Sequence, residues 1–529
     1  MRRKILPAKA RRQNMTKKEH SRPLATQVPS PEGGPALTSI SRASLTTERP
    51  VTFKTLIAYG VGDIYGGGAF IIVSLFYMFF MTEVVGLSPA LAGLALGIGK
   101  VWDAITDPLM GYLSDHTRSR YGRRRVYFLV GIVPIALSYI IMWIRVRASS
   151  QVALFFYYLF AYILFDAVIT MVMTPYSALA AELSADYKVR NRLSAARLFF
   201  SGFSSLLAST VPSMIINAHK EDPAQGYLIM SIVFGILFAI PWIFVFWGTW
   251  ENPHLASPTV SRDFMKEFAS ILKNKSFRIH LMMYVFAYSA MDMLMGLFTY
   301  YLTYYLQRPN IYSIAMGTLM IVQLFMILVY TKVANTKGKR FAYILGMSIF
   351  LAGLYATIVL TSSTPLLVLV LICAVIGLGT AAAVYIPYAI LPNVIDVDEL
   401  MTGQQRAGVY SGAMTLARKV VQGIIVMPLI GFFLQLVGFQ SNQAQTPEVL
   451  SKFLIFFITG PSIFLILGII VAMRFELSPK NSEILVKELE RIRAGGRLED
   501  VSPEVKTICE KLTGMRYEEC WNKKGATEI

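Results

Sequence analysis

An apolar run of about 20 residues is the length that crosses the hydrocarbon core of a bilayer as a helix. This chain carries such runs one after another from residue 54 to residue 475. Inside a bilayer every backbone polar group must be satisfied within the protein, so runs of this length fold as helices. Twelve spans are expected: 54–81, 88–114, 126–146, 152–181, 194–217 and 226–249, then 281–306, 312–332, 342–361, 365–392, 408–437 and 451–475. Hydrophobic residues make up 55% of the chain, more than a soluble domain carries. The expected fold class is an all-α membrane protein with the lipid bilayer as its surroundings.

Polar segments divide the chain. Residues 1–52 read as a basic, disordered tail, 53–250 as a first six-helix bundle, 251–280 as a polar loop, 281–477 as a second bundle and 478–529 as a polar tail. In that last tail "SEILVKELERIRAGG" reads as a short amphipathic helix stopped by Gly495 and Gly496. The first fifty residues hold no apolar core, so no cleavable signal is expected, and Met15 is an alternative start.

The net charge of +18 would suggest nucleic acid for a soluble protein. Here the cations gather in short loops, where they set topology beside anionic lipid, and no nucleic-acid partner is expected. Arg118, Arg120, Arg123, Arg124 and Arg125 follow span 2; Lys188, Arg190 and Arg192 follow span 4; Lys337, Lys339 and Arg340 follow span 8. The opposite loops carry few cations, such as Lys220 and Arg308. Both termini are therefore expected on the cytoplasmic side of the plasma membrane, or of the inner membrane in a bacterium. Cys373, Cys509 and Cys520 form no disulfide framework and no metal-ligand spacing. With no nucleophile–base pair or phosphate loop either, the reading is against an enzyme and against a bound cofactor.

The two halves echo each other. "PYSALAAELSAD" from Pro175 and "PYAILPNVIDVD" from Pro387 each end the fourth span of a half, reaching Asp186 and Asp398 at matching spacing. "RSRYGRRR" after span 2 has its counterpart in "TKGKR" after span 8. Two pseudo-symmetric six-helix bundles with a solute bound between them are a transporter plan, and one chain holding both halves is expected to be a monomer.

"KVWDAITDPLMGYLSD" places charge inside a span. Lys100, Asp103 and Asp107 recur at i, i+3 and i+7, on one stripe of a helix. A charge at mid-bilayer costs about 2.5–3.5 kcal/mol on insertion scales, so the stripe faces a partner, a cation or water. One reading is a cluster that locks helices together. The other is a site for a monovalent cation, with hard carboxylate oxygens and the Thr106 hydroxyl, or for a proton shared by crowded carboxylates.

Further polar groups at depth are Asp63, Asp166, Thr170, Arg197, Asp292, Arg418 and Lys419. Arg197 and Lys419, one per half, are suited to clamp an anionic or hydroxyl-rich solute, or else to pair with Asp166 or Asp292. Tyr65, Trp102, Tyr176 and Tyr388 offer rings for a sugar, or pack. The glycines of "YGVGDIYGGGAF" permit close helix approach or leave room for a ligand.

The stretches "KVWDAITDPLMGYLSDHTRSRYGRRR", "TPYSALAAELSADYKVRNRLSAAR" and "PYAILPNVIDVDELMTGQQRAGVYSGAMTLARK" resemble the glycoside–pentoside–hexuronide:cation symporters. These are the melibiose-permease-type branch of the major facilitator superfamily, and the likeness covers about residues 53–478. The resemblance implies sodium, lithium or proton symport of sugars or glycosides by alternating access. It implies a cation site at Asp103, Asp107 and Thr170, with Thr106 where the family often has Asn. A further family ligand falls on Met173, which cannot hold a hard cation, so sodium and proton both stay open. It assigns solute binding to Arg197 and Lys419 and matches Lys100 to a basic position of span 2. The family's sugar aspartate falls on Gly67 and its aromatic platform on Ser177, so a galactoside does not carry over and a hexuronide stays open.

Asp115, Arg118 and Arg123 beside span 2, with Asp186, Asp398 and Arg406, are expected to form ion pairs between the halves that break on inward release. Two rival functions stand beside the sugar symporter: a lysolipid or other amphiphile symporter of the same superfamily, and a non-transporting membrane sensor.

Overall fold

Among the described residues, eleven helices of the computed structural model are long and apolar enough to cross a membrane. The structure describes residues 49–184, 186–219, 221–252, 264–441, 443–497 and 500–520. Residues 1–48 of the expected N-terminal tail and Lys220 lie outside the described residues.

The membrane-length helices of the first half are α1 (Phe53–Tyr77), α2 (Pro89–His116), α3 (Arg125–Met142), α4 (Gln151–Leu183), α5 (Tyr187–Ala218) and α6 (Pro223–Gly248). Those of the second half are α7 (Lys275–Tyr305), α8 (Pro309–Lys337), α9 (Lys339–Val359), α10 (Leu366–Thr402), α11 (Ala407–Leu436) and α12 (Pro447–Met473). With 28 residues, α2 is also long enough to span. It falls outside the eleven because Lys100, Asp103, Asp107 and Asp115 dilute its apolar character. In the tail, α13 (Pro479–Arg493) is capped by Ser478, whose side chain accepts from the Asn481 N–H. The chain turns out of it through Gly495 at φ +82°, the left-handed position that glycine tolerates.

The echo in the sequence is an echo in packing. In the first half α2 and α3 pack on α4, and α1 packs on α5; in the second α8 and α9 pack on α10, and α7 packs on α11. Between the halves α2 meets α11, α5 meets α8 and α1 meets α7. A second helix against a fifth, twice over, is the pattern of a pseudo-two-fold axis running between the bundles.

At one end, where α2 begins and α11 ends, the halves touch backbone to backbone. A Cβ on Gly97 would collide with the carbonyl oxygen of Gly423, one on Gly93 with that of Met427, and one on Gly431 with that of Pro89. Thr82 Oγ1 lies 2.7 Å from Tyr300 Oη, Glu83 bonds to the Tyr304 hydroxyl, and Ser213 Oγ lies 2.5 Å from Ser313 Oγ. At the other end, which carries the arginine-rich loops, Ile105, Leu109 and Leu113 of α2 are exposed and Gly408 and Gly412 of α11 have open space around them.

The halves stand apart at this end, the condition in which the expected ion pairs between them are broken, and the charges pair within their own bundles. Arg123 pairs with Glu182, and Arg124 with Asp115 at 2.5 Å and Glu182 at 2.8 Å, all within the first half. Arg406 pairs with Asp398 at 2.5 Å within the second. Asp186 caps α5 by accepting from the Lys188 N–H at 2.8 Å, and Arg118 is exposed with no ion pair among the described residues. The halves are parted at this end, so each carboxylate takes the nearest cation of its own bundle. Glu251 supports the same corner. Its carboxylate accepts from the N–H groups of Arg123, Arg124 and Arg125 at 2.8–2.9 Å, filling donors that the start of α3 leaves open.

The second half carries the C-terminal tail. Arg493 grips Glu399 of α10 at 2.6 Å, and Ser276 of α7 donates to the Leu512 carbonyl at 2.6 Å. A further helix, α14 (Pro503–Thr513), holds buried Cys509 against α13.

Candidate functional site

The open end leads into a cavity of about 470 Å³ between the bundles, whose walls include Asp63, Asp103, Asp107, Thr170, Arg197 and Lys419. The stripe on α2 supplies two of them, and the helical repeat puts both carboxylates on the face turned toward α4 and α11.

Lys419 of α11 enters between the aspartates. Its Nζ lies 2.6 Å from Asp107 Oδ2 and 2.9 Å from Asp103 Oδ2. Thr170 Oγ1 of α4 lies 3.1 Å from Oδ1 of each aspartate and shares its one hydrogen between them. Asp103 is buried, whereas the Asp107 side chain keeps 34% of its surface open to the cavity. Lys100 sits behind, 3.5 Å from Asp103 and 3.7 Å from Asp166, with its ammonium 3.9 Å from the centre of the Phe70 ring. Asp166 is fully buried and neither of its carboxyl oxygens has a hydrogen-bond partner. Written with every group ionised, the three carboxylates and two ammoniums leave one negative charge. The hard oxygens of Asp103, Asp107 and Thr170 suit a monovalent cation, and Lys419 holds their place by charge.

Beside this cluster Arg197 Nε of α5 donates to Asp63 Oδ1 of α1 at 3.1 Å, and the guanidinium lies 5.2 Å from the Tyr176 ring centre. Tyr176 in turn stacks on Tyr59 at 4.7 Å and donates to its carbonyl at 2.7 Å. In the second half Arg418 reaches Asp292 at 3.0 Å.

Several expectations need correction. Thr106 Oγ1 turns back on its own helix, donating to the Trp102 carbonyl at 3.1 Å, and it is not on the cavity wall that holds Asp103, Asp107 and Thr170. Tyr65 is wholly buried among Phe165, Phe238 and Trp242, and Tyr176 is buried behind Arg197; neither presents a ring to the cavity. Lys100 is sealed behind Asp103 and out of reach of a solute. Neither Arg197 nor Lys419 takes Asp166 or Asp292 as its partner: Asp63 serves Arg197, the α2 pair serves Lys419, Lys100 lies nearest Asp166, and Arg418 serves Asp292.

Sequence reasoning placed Asp63 at depth but gave it no role. Its position four residues before Gly67, one turn from the family's sugar aspartate, was the available signal. The glycines around it mainly admit α5: a Cβ on Gly67 would strike Ser201, and one on Gly66 would strike Met173. Glu182, the partner of Arg123 and Arg124, stands inside the span-4 motif that begins at Pro175.

A family model described as MFS/sugar transport protein matches residues 58–479. An uncharacterized symporter of Synechocystis is 27% identical over 483 residues, covering 75% of this chain and 88% of that protein. A glucuronide carrier protein homolog of Escherichia coli is 25% identical over 452 residues, covering 83% of this chain and 96% of that protein. Among solved structures, a D-xylose–proton symporter superposes with a TM-score of 0.58 at 16% identity, over 80% of this chain and 97% of that one, which establishes a shared fold. The chain is a membrane transporter of the MFS/sugar transport protein family, in the glycoside–pentoside–hexuronide:cation symporter branch of the major facilitator superfamily.

Proposed function

We propose that the protein couples the movement of one monovalent cation to that of a neutral sugar or glycoside, by alternating access. The observation that carries this reading is the seat of Lys419 between Asp103 and Asp107, at 2.9 and 2.6 Å. An ion that binds the two carboxylates has to displace an ammonium that belongs to the other half of the molecule. Ion binding at the α2 pair is thereby tied to the contact between bundles, which is what coupling requires.

Solute recognition falls to Asp63 and Arg197. A carboxylate beside a guanidinium offers acceptors and donors to neighbouring hydroxyls. Because Asp63 already neutralises Arg197 at 3.1 Å, and the aspartates neutralise Lys419, the cavity favours an uncharged polyol over a hexuronide. By the positive-inside rule the basic end is cytoplasmic, so the cavity faces the cytoplasm of the plasma membrane, or of the inner membrane in a bacterium. Both described bundles come from one chain, which supports a monomer.

A second reading, an amphiphile symporter, is favoured by one observation. Ile105, Leu109 and Leu113 form an exposed apolar stripe on α2 beside the opening, a surface an acyl chain would follow. Uptake into proteoliposomes separates the readings. Radiolabelled glycosides should accumulate under an imposed sodium or proton gradient, and the gradient that works names the ion. Uptake of lysolipid without any uptake of saccharide would overturn the sugar reading.

A further inference from the structure

The second half carries a counterpart of the Asp63–Arg197 pair. Asp63 and Arg197 stand on the first and fifth helices of the first half; Asp292 and Arg418 stand on the first and fifth helices of the second. The resemblance extends to their surroundings. Arg197 lies over Tyr176, which stacks on Tyr59. Arg418 lies over Tyr288 at 4.0 Å, and Tyr288 packs on Tyr284 at 4.7 Å. The arginine side chains are open to similar degrees, 31% and 32%.

Arg418 is one helical turn from Thr415 and adjacent to Lys419, both on the cavity wall. Asp292 is only 6% exposed, yet its Oδ2 has no hydrogen-bond partner, and neither has Arg418 Nε. A buried acceptor and a buried donor without partners are costly, and the Arg418 side chain, about a third open, is the member of the pair that a solute can reach. A hydroxyl of a sugar ring that accepts from the open part of the Arg418 guanidinium would engage the pair from the cavity side.

We propose that Asp292 and Arg418 form a second saccharide subsite, so that the solute is a neutral glycoside of at least two rings held by one acid–arginine pair in each half. The inference rests on the sugar-symport reading and extends it from one recognition element to two. A solute gripped by both bundles draws them together around it, giving the loaded carrier a reason to change state that a one-ring fragment lacks.

The test uses the full-length protein in detergent and in proteoliposomes. Thermal-shift titrations with maltose, cellobiose and xylobiose are compared with methyl glucoside and methyl xyloside, for wild type, D292N/R418Q and R418K. The double variant removes both charges together, so no lone buried charge threatens folding. Disaccharide affinity is expected to fall about tenfold to a hundredfold in D292N/R418Q, the scale of hydrogen bonds to charged groups. R418K should lie between, and methyl glycoside affinity and the cation-induced thermal shift should stay unchanged. A double variant that binds both saccharide lengths as wild type does would make the pair a structural ion pair and overturn the subsite. Equal losses for one-ring and two-ring ligands would overturn it as well. Wild-type protein that binds no saccharide would instead remove the sugar reading, and the subsite with it.

Discussion

Lys419 and Asp107 touch at 2.6 Å across the junction of the two bundles, though 312 residues separate them in the chain. The contact joins α11 to α2 at the cavity wall, so whatever neutralises Asp107 decides whether the bundles are tied at that point. Replacing Asp107 or Asp103 by Asn should abolish concentrative uptake while downhill exchange survives. K419Q should lose at least about tenfold in concentrative uptake yet still show a cation-dependent thermal shift, because the carboxylate ligands remain. Accumulation at wild-type levels in D107N would remove the α2 pair from the coupling role.

Arg197 and Asp63 should act on solute and not on the ion. In D63N and R197Q, saccharide binding is expected to weaken by about 1.5–3 kcal/mol, the cost of losing a charge-assisted hydrogen bond. Cation titrations in the absence of saccharide should match wild type. A parallel loss of cation response would show that the pair holds the fold and has no separate part in recognition.

Glu251 gathers three backbone N–H groups at the start of α3. E251A leaves those donors without their acceptor and should destabilise the detergent-solubilised protein by about 2 kcal/mol, read as a lowered midpoint of thermal unfolding. E251Q, which keeps one oxygen, should fall between. An unchanged midpoint in E251A would mean that water serves those donors equally well.

Cys509, outside the membrane spans, tests whether the tail stays docked. Burial pushes its thiol up to about 12. The charged thiolate is therefore scarce at neutral pH, and it becomes abundant only as pH climbs toward that value. Maleimide labelling at pH 7.5 should be slow and should rise with pH through the alkaline range. Tyr517 donates to Glu488 on α13, which also pairs with Arg491 at 2.8 Å. Y517F loosens that lock and should speed labelling several-fold. Fast labelling of the wild type would show a tail that spends much of its time undocked.

The spans were legible because a bilayer leaves a chain few choices. Runs of apolar residues report their own length, and the loops report charge. The α2 stripe was legible for the same reason, since charges in an apolar helix stand out and a period of 3.6 puts them on one face. Pairing was much less so. Nothing local in the sequence says that Arg197 will find Asp63 and not Asp166, or that Lys419 and Arg418 will part company. Those choices are made by helix rotation and by which bundles lie open. Asp186 and Asp398 share a spacing but not a task, one capping a helix and the other binding an arginine. Thr106 misled because a threonine in a helix can satisfy itself on its own backbone. The tail's second helix, α14, is short and only weakly apolar, and it takes its place from the bundle beneath it.

Bare main chain forms part of the closure at the end away from the arginine-rich loops, where Gly93 and Gly97 lie against Gly423 and Gly431. Surfaces without side chains have no rotamers to freeze on meeting or to release on separating. Shutting the glycine seam therefore orders few side chains, whereas parting this end also breaks the Thr82–Tyr300, Glu83–Tyr304 and Ser213–Ser313 hydrogen bonds. A larger residue at Gly93, Gly97 or Gly431 would meet facing backbone and wedge the seam apart.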